Sequence, residues 1–241
     1  MRVLGVIPAR YKSTRLPFKP LIQIKGKPII QWVYENASKS RFLDTVIVAT
    51  DHRKILDCVY NFGGKAVMTS KAHKSGTDRV YEVAQNLNPL IVINIQGDEP
   101  FIDYRNIDKV IRFLLGNRHY DVATLIFKIN QNAEEISRNP NIVKVVVDKE
   151  FNALYFSRSP IPYNRNKEPI YYYKHIGLYG YRMSFLKRFV DMKSSFLENA
   201  ESLEQLRILE NGFKIKALLT KIDSFSIDTK EELRNVESGR I

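Results

Sequence analysis

The chain has one cysteine, Cys58, among 241 residues, so no disulfide can form within it. This excludes a small disulfide-stapled scaffold and fits a reducing compartment. Cys58 falls in "RKILDCVYNF", where a free thiol reads as a small buried side chain. Long apolar runs are also missing. Nothing approaches the roughly 20 residues that span a bilayer. Before Pro8 and Arg10 there is only "VLGVI", shorter than a signal-peptide core of about 7–15 apolar residues. The expectation is a soluble, cytoplasmic protein with no membrane partner. Glycine is absent between Gly5 and Gly26, which excludes a Walker A loop or a dinucleotide fingerprint behind the first apolar run. No Ser-His-Asp or Cys-His constellation, no Cys/His metal spacing, no internal repeat and no low-complexity linker is present.

What is present is positive charge. Lys and Arg number 38 against 26 acidic residues, a formal net charge of +12 with a pI near 9.6. Basic proteins bind nucleic acid or other polyanions, but these cations are scattered among carboxylates rather than gathered in a tail. That spread argues against a nucleic-acid partner. A small phosphorylated substrate accounts better for a local basic cluster. Hydrophobic residues make up 44% of the chain. This is enough to build a sizeable core, in one large domain over 1–241 or one domain with a sub-domain; about 125–185 reads as a β-rich sub-region.

Apolar runs alternate with helical patterns. "RVLGVIP", "TVIVAT", "KAVMT" and "LIVINI" read as strands. "PIIQWVYENASK", "HRKILDCVYNF" and "GTDRVYEVAQNL" read as helices. Asp51 offers an N-cap for the second helix, Gly63-Gly64 ends it, and Thr77 or Asp78 lies near the cap of the third. This order predicts an α/β fold with a mostly parallel central sheet and helices on both faces. Farther on, "IDKVIRFLLGN", "SFLKRFVDM" capped by Ser184, "ESLEQLRILENG" closed by Gly212, and "TKEELRNVES" read as helices. "DVATLIFKI", "NIVKVVVD", "ALYFSR", "HIGLYGYR" and "FKIKALL" read as strands, and 162–173 as a polar loop.

Ligands of such sheets lie outside the carboxyl ends of the strands. That rule selects three places. Behind Ile7 comes "PARYKSTRLPFKPL", in which Arg10 and Arg15 offer planar forks to phosphate oxygens and Lys19 a point charge. Behind Ile95 comes "QGDEP", where Asp98 is placed to hold a hard cation; Mg²⁺ typically takes one or two carboxylates plus phosphate oxygens. Behind Thr50 comes the segment leading to "HKSGTDR", where Ser75 precedes a helix and Arg79 sits in its first turn. A cation there is unfavourable without an anionic partner, which suggests a ligand. Arg158 could hold a carboxylate bidentately, His175 has a side chain that ordinarily titrates near neutrality, and Glu204 and Gln205 read as lying on a helix. Asp228, before "TKEEL", reads as an ordinary N-cap.

Taken together, "IPARYKSTRLPFKPL", "GKPII", "VATD", "SGTDR", "NIQGDEP", "LYFSRSPIPY", "HIGLYGYR", "LEQLRILENG" and "IDT" resemble the 3-deoxy-manno-octulosonate cytidylyltransferases, from residue 3 to about 236. The resemblance implies a Rossmann-like nucleotidyltransferase fold with a smaller β-rich dimerisation and sugar-binding sub-domain, and a homodimer. It implies Mg²⁺-dependent transfer of CMP from CTP to 3-deoxy-manno-octulosonate (KDO), releasing diphosphate, for lipopolysaccharide biosynthesis. An analogue such as 8-amino-KDO, or a sialic-acid-like acid, is the nearest alternative substrate; a metal-dependent glycosyltransferase and an RNA-binding module are the competing classes. Carried over by position, Pro8, Ala9, Arg10, Ser13, Thr14, Arg15 and Lys19 match the triphosphate loop, and Ser75 and Arg79 the cytidine segment. Asp98 and Asp228 match the metal-binding aspartates. Gln96, Arg158, His175, Tyr179, Glu204 and Gln205 match the sugar-acid pocket. Arg10, Lys19 and Asp98 are the expected catalytic groups. Two residues depart from the pattern: Phe18, where glycine is frequent, and Leu178, where isoleucine is.

Overall fold

The first apolar run forms a central strand, β1 (Val3–Ala9), hydrogen-bonded on both sides. The structure, a computed structural model, describes residues 1–12, 16–227 and 229–238. After a 3-10 turn at Lys19–Leu21 the chain continues through β2 (Gln23–Ile24), β3 (Lys27–Pro28), α1 (Ile29–Ala37), β4 (Thr45–Thr50), α2 (Arg53–Asn61), β5 (Ala66–Met68), α3 (Gly76–Leu87), β6 (Ile91–Asn94) and α4 (Tyr104–Gly116). Then follow β7 (Val122–Ile129), α5 (Ala133–Arg138), β8 (Lys144–Val147), β9 (Ala153–Ser157), β10 (Tyr172–Arg182), α6 (Met183–Asp191), α7 (Phe196–Glu201), α8 (Leu206–Glu210), β11 (Ile215–Thr220) and α9 (Lys230–Glu237).

The main sheet runs β11-β7-β10-β6-β1-β4-β5, and β8, paired to β10, carries β9. The neighbours β5, β4, β1 and β6 are parallel, as the strand–helix alternation predicts. Strand β10 then enters antiparallel between β6 and β7, so the strands of the β-rich stretch extend the same sheet. Side-chain alternation explains the helices on both faces. Val3 and Ile7 of β1 and Ile91 and Ile93 of β6 join the core under α1, α2 and α4. Leu4, Val6 and Val92 join the core under α3, α6 and α8.

Several local expectations change. Helix α2 is capped by His52, whose Nδ1 accepts from the Lys54 N–H at 3.2 Å; Asp51 is engaged elsewhere. Helix α3 is capped by Ser75 in a reciprocal box with Asp78. Ser184 lies inside α6, whose cap position is Arg182. Helix α5 is one that the sequence pattern did not announce. Of the helix expected over "ESLEQLRILENG" only Leu206–Glu210 is helical, as α8. Glu201 ends a preceding helix that was not expected, α7, Ser202 is left-handed with φ 52°, and Glu204 and Gln205 lie in the turn before α8 rather than on a helix. That break matters for the site.

Candidate active site

The carboxyl ends of β1 and β6 come together through one close approach. A Cβ on Gly97 would lie 2.7 Å from the Pro8 carbonyl oxygen, so only glycine allows the turn after β6 to seat against the end of β1. This seats Asp98 beside Lys19. The Lys19 ammonium, nearly buried, meets the Asp98 carboxylate at 2.7 Å. Arg10 donates to the His73 carbonyl at 3.2 Å, which ties the first basic loop to the segment before α3. Pro8 and Ala9 form the end of β1. Ser13, Thr14 and Arg15 lie outside the described residues, as does Asp228. The described N-cap of α9 is Thr229, boxed with Glu232, so the capping role read for Asp228 belongs to its neighbour.

Arg79 supports this edge from beneath. It is fully buried; its guanidinium donates to the Thr69 hydroxyl and pairs with Asp51 at 3.3 Å. Asp51 in turn accepts the Tyr11 N–H at 3.1 Å. The anionic partner demanded by a first-turn arginine is therefore the protein's own Asp51, and Arg79 reaches the basic loop through it. The Ser75 hydroxyl accepts from the Asp78 N–H at 3.0 Å.

Next to Asp98 opens a cavity of about 500 Å³, and every residue expected of the sugar-acid pocket lines it: Gln96, Arg158, His175, Tyr179, Glu204 and Gln205. Three irregularities deliver them. A register shift in β10 between Ile176 and Tyr179 turns the Gly177 carbonyl towards Gln96, whose Nε2 donates to it at 3.0 Å. The left-handed Ser202 ends α7 and turns Glu204 and Gln205 into the cavity wall. The third is a buried ammonium. Lys144, fully buried, donates to the carbonyls of Asn139 at 3.0 Å, Ile142 at 2.7 Å and also Arg158, all three of them cavity-lining residues. Burial pulls its pKa down to about 8. Arg158 donates through Nε to the Glu201 carbonyl at 2.8 Å and through a terminal nitrogen to the Pro140 carbonyl at 2.9 Å, which fixes the guanidinium plane.

The cavity is built for a polar ligand. Four buried polar atoms of its lining residues have no hydrogen-bond partner among the described residues: Asn94 Oδ1, Tyr179 OH, Glu204 Oε1 and Gln205 Nε2. Buried polar groups are normally paired, so unpaired ones on four lining residues suit a polar ligand. Burial, only partly offset by Thr77, raises the Glu204 pKa. Burial also pushes His175 down to about 3, correcting the expectation that it titrates near neutrality. The neutral ring lies 3.2 Å from the Thr124 hydroxyl and edge-on to Phe156.

The profile of the family described as cytidylyltransferase matches residues 4–217. A 3-deoxy-manno-octulosonate cytidylyltransferase of Thermodesulfovibrio yellowstonii is 52% identical, over 98% of this chain and 97% of its own. The chain belongs to the 3-deoxy-manno-octulosonate cytidylyltransferase family. The Fusobacterium nucleatum member is also 52% identical, over 98% of this chain and 96% of its own. A solved structure of CMP:2-keto-3-deoxy-manno-octonic acid synthetase complexed with CTP superposes with a TM-score of 0.94 at 44% identity, covering 100% of this chain and 98% of that one.

Within this cytidylyltransferase family the departure at Phe18 has a physical reading. Its φ of 57° is left-handed, the conformation that favours glycine. The half-exposed ring packs on Tyr11 at 4.6 Å between centroids, and Tyr11 stacks on His52 at 3.6 Å. This contact offsets backbone strain of about 1–2 kcal/mol. Leu178, the other departure, is fully buried in the core.

Site residues that sequence reasoning missed are Asn94, Glu99, Lys144, Lys174 and Ser224. Glu99, buried with its pKa pushed up to about 7 by desolvation, accepts from the Ser224 hydroxyl. Lys174 donates to Asp223 at 2.8 Å and to the Ser224 carbonyl at 2.7 Å. Together with the Ile227 N–H, which donates to the Asp98 carbonyl at 3.0 Å, they bind the segment before α9 to the Asp98 turn. A polar residue in an apolar strand, as Asn94 is in "LIVINI", was the available signal. The others are revealed only by tertiary neighbours.

Proposed function

We propose that the protein transfers the cytidylyl group of CTP to the 2-hydroxyl of KDO, giving CMP-KDO and diphosphate. The observation that carries this reading is the cavity lined by unpaired polar groups opening directly beside the Lys19–Asp98 pair. The relatives named for this reaction, alike over nearly the whole chain, support it. In this reading the hydroxyl oxygen bonds the α-phosphorus in line and its proton passes to solvent, the bond from the α-phosphorus to the bridging oxygen breaks, and diphosphate leaves with the electron pair. Arg10, Arg15 and Lys19 stabilise the departing charge, with Ser13, Thr14 and the backbone of Pro8 and Ala9 shaping the loop. Ser75 and Arg79 set the cytidine segment, Arg79 acting through Asp51. Arg158 orients the sugar carboxylate with its remaining N–H groups, while Gln96, Tyr179, Glu204 and Gln205 bind hydroxyls. Neutral His175 serves as a hydrogen-bonding group rather than a cation. The chain's work is positioning and charge stabilisation.

Mg²⁺ belongs to this reading. Among the described residues no group of three or more His, Cys, Asp or Glu is arranged to hold a metal. The Asp98 carboxylate in the pocket lining suits an ion that takes one or two protein carboxylates and completes its shell with phosphate oxygens. Asp98 would hold it with Asp228. When bound, it would neutralise phosphate charge and acidify the attacking hydroxyl.

The same reading places the reaction in the cytoplasm, in lipopolysaccharide biosynthesis, and in a homodimer. Among the described residues no helix is long and apolar enough to cross a membrane. An apolar groove lined by Val145, Val147, Phe151, Ile170, Tyr171 and Tyr173 offers a face for a second copy. Diphosphate release from CTP, compared across KDO, 8-amino-KDO and a sialic acid, tests the substrate. The highest kcat/KM is expected for KDO, and preference for another acid would reassign it.

A further inference from the structure

We propose that Asn94 is a specificity residue of the sugar-acid cavity, whose Oδ1 accepts a hydrogen bond from one hydroxyl of a polyhydroxylated acid bound there. This rests on reading the cavity as the sugar-acid site.

Strand β6 is otherwise apolar: Ile91, Val92 and Ile93 are fully buried. Asn94, 3% exposed, is the polar exception, and it lines the cavity. It stands opposite Tyr179 in the β6–β10 register and faces Thr77 at the start of α3. Its Nδ2 donates to the Thr77 hydroxyl oxygen at 3.1 Å. With the amide nitrogen engaged by Thr77, the amide oxygen of this cavity-lining residue is left buried and without a donor among the described residues.

The chemistry of that oxygen defines its partner. An amide oxygen only accepts, so a phosphate, carboxylate or ether oxygen cannot satisfy it, and a hydroxyl can. Gln205 Nε2, the unpaired donor of the same cavity, asks for the opposite. A hydroxyl donates and accepts, and a polyol presents several in a row. A ligand with hydrogen or a methoxy group in place of the contacted hydroxyl leaves Oδ1 unpaired. Sites that bond a substrate hydroxyl reject analogues lacking it far more strongly than apolar pockets reject a missing methylene.

The test measures kcat/KM at saturating CTP for KDO and its single-position deoxy and O-methyl derivatives. Wild-type enzyme is compared with Asn94→Ala, and the KM for CTP is read in parallel. In the wild type, modification at one position is expected to lower kcat/KM about 10–100-fold. In Asn94→Ala, KDO should fall to the level of that derivative, with discrimination at that position lost and the KM for CTP within about twofold. Asn94→Ala that keeps the wild-type discrimination overturns the proposal. So does a wild-type series with no discriminated position, a result that needs no folded variant. If wild-type enzyme turns over none of these acids, the proposed reaction falls, and Asn94's role with it. Normal wild-type turnover with Asn94→Ala indistinguishable from it refutes Asn94 alone.

Discussion

Lys144 shows how a single buried charge can shape a site without touching it. Its ammonium gathers three carbonyls of the cavity wall, one of them Arg158's. Lys144→Met, similar in length but without donors, should raise the KM for the sugar acid at least tenfold and leave the KM for CTP within about twofold, measured by steady-state kinetics. Its folded pKa, about 8, lies below the ordinary lysine value. Between those values the unfolded chain holds more protons, so Lys144 makes unfolding free energy rise with pH. Denaturant titrations from pH 7.5 to 10 should show that rise in the wild type relative to Lys144→Met. His175 works at the opposite end of the scale. Its folded pKa of about 3 lies below the unfolded value, so its contribution is full above about pH 6.5 and is lost as pH falls towards 3. His175→Gln should flatten the acid limb of the stability curve. NMR of the ring should show neutral imidazole throughout pH 5–8. At the basic loop, Phe18→Gly should relieve backbone strain yet raise the KM for CTP severalfold, because the Tyr11 contact is lost.

At the scale of elements, the site is made where regular structure is interrupted. The Ser202 break separates α7 from α8, and the β10 irregularity offers Gly177 to Gln96. Ser202→Gly suits the left-handed backbone and should stabilise the fold by about 0.5–1 kcal/mol in thermal denaturation, with unchanged kcat. Asp103 accepts from the Arg105 N–H at 2.8 Å as the cap of α4. Asp103→Ala should cost about 1 kcal/mol, read from the denaturation midpoint. Most elements were legible because β1 and β4, and β6 up to Asn94, are nearly continuous apolar runs and α1 to α4 carry clear helical periodicity. The interruptions were not. "ESLEQLRILENG" has an unbroken helical pattern, yet Ser202 is left-handed and the helix begins only at Leu206. Caps were misplaced by one to three residues for a related reason: Asp51 can cap a helix or pair with a buried arginine, and only the position of Arg79 decides.

At the scale of the molecule, the nine-stranded sheet joins two kinds of site. The parallel strands present the basic loop and Asp98 at their carboxyl ends, and antiparallel β10 brings His175 and Tyr179 to the same edge. Motif order made the grouping of Gln96, Arg158, His175, Tyr179, Glu204 and Gln205 legible, although 109 positions separate the first from the last. The supporting Glu99–Ser224 and Lys174–Asp223 contacts span 125 and 49 positions and carry no local signature. If the homodimer forms through the apolar groove, Tyr171→Glu should shift sedimentation from dimer to monomer. The central claim concerns chemistry at the Lys19–Asp98 edge. The most direct measurement is diphosphate release by purified protein given CTP, KDO and Mg²⁺, for the wild type and Asp98→Asn. The account predicts one diphosphate and one CMP-KDO per CTP consumed by the wild type, and turnover reduced at least about 100-fold in the variant. Folded wild-type protein that releases no diphosphate, or Asp98→Asn with near-normal turnover at saturating Mg²⁺, would contradict it.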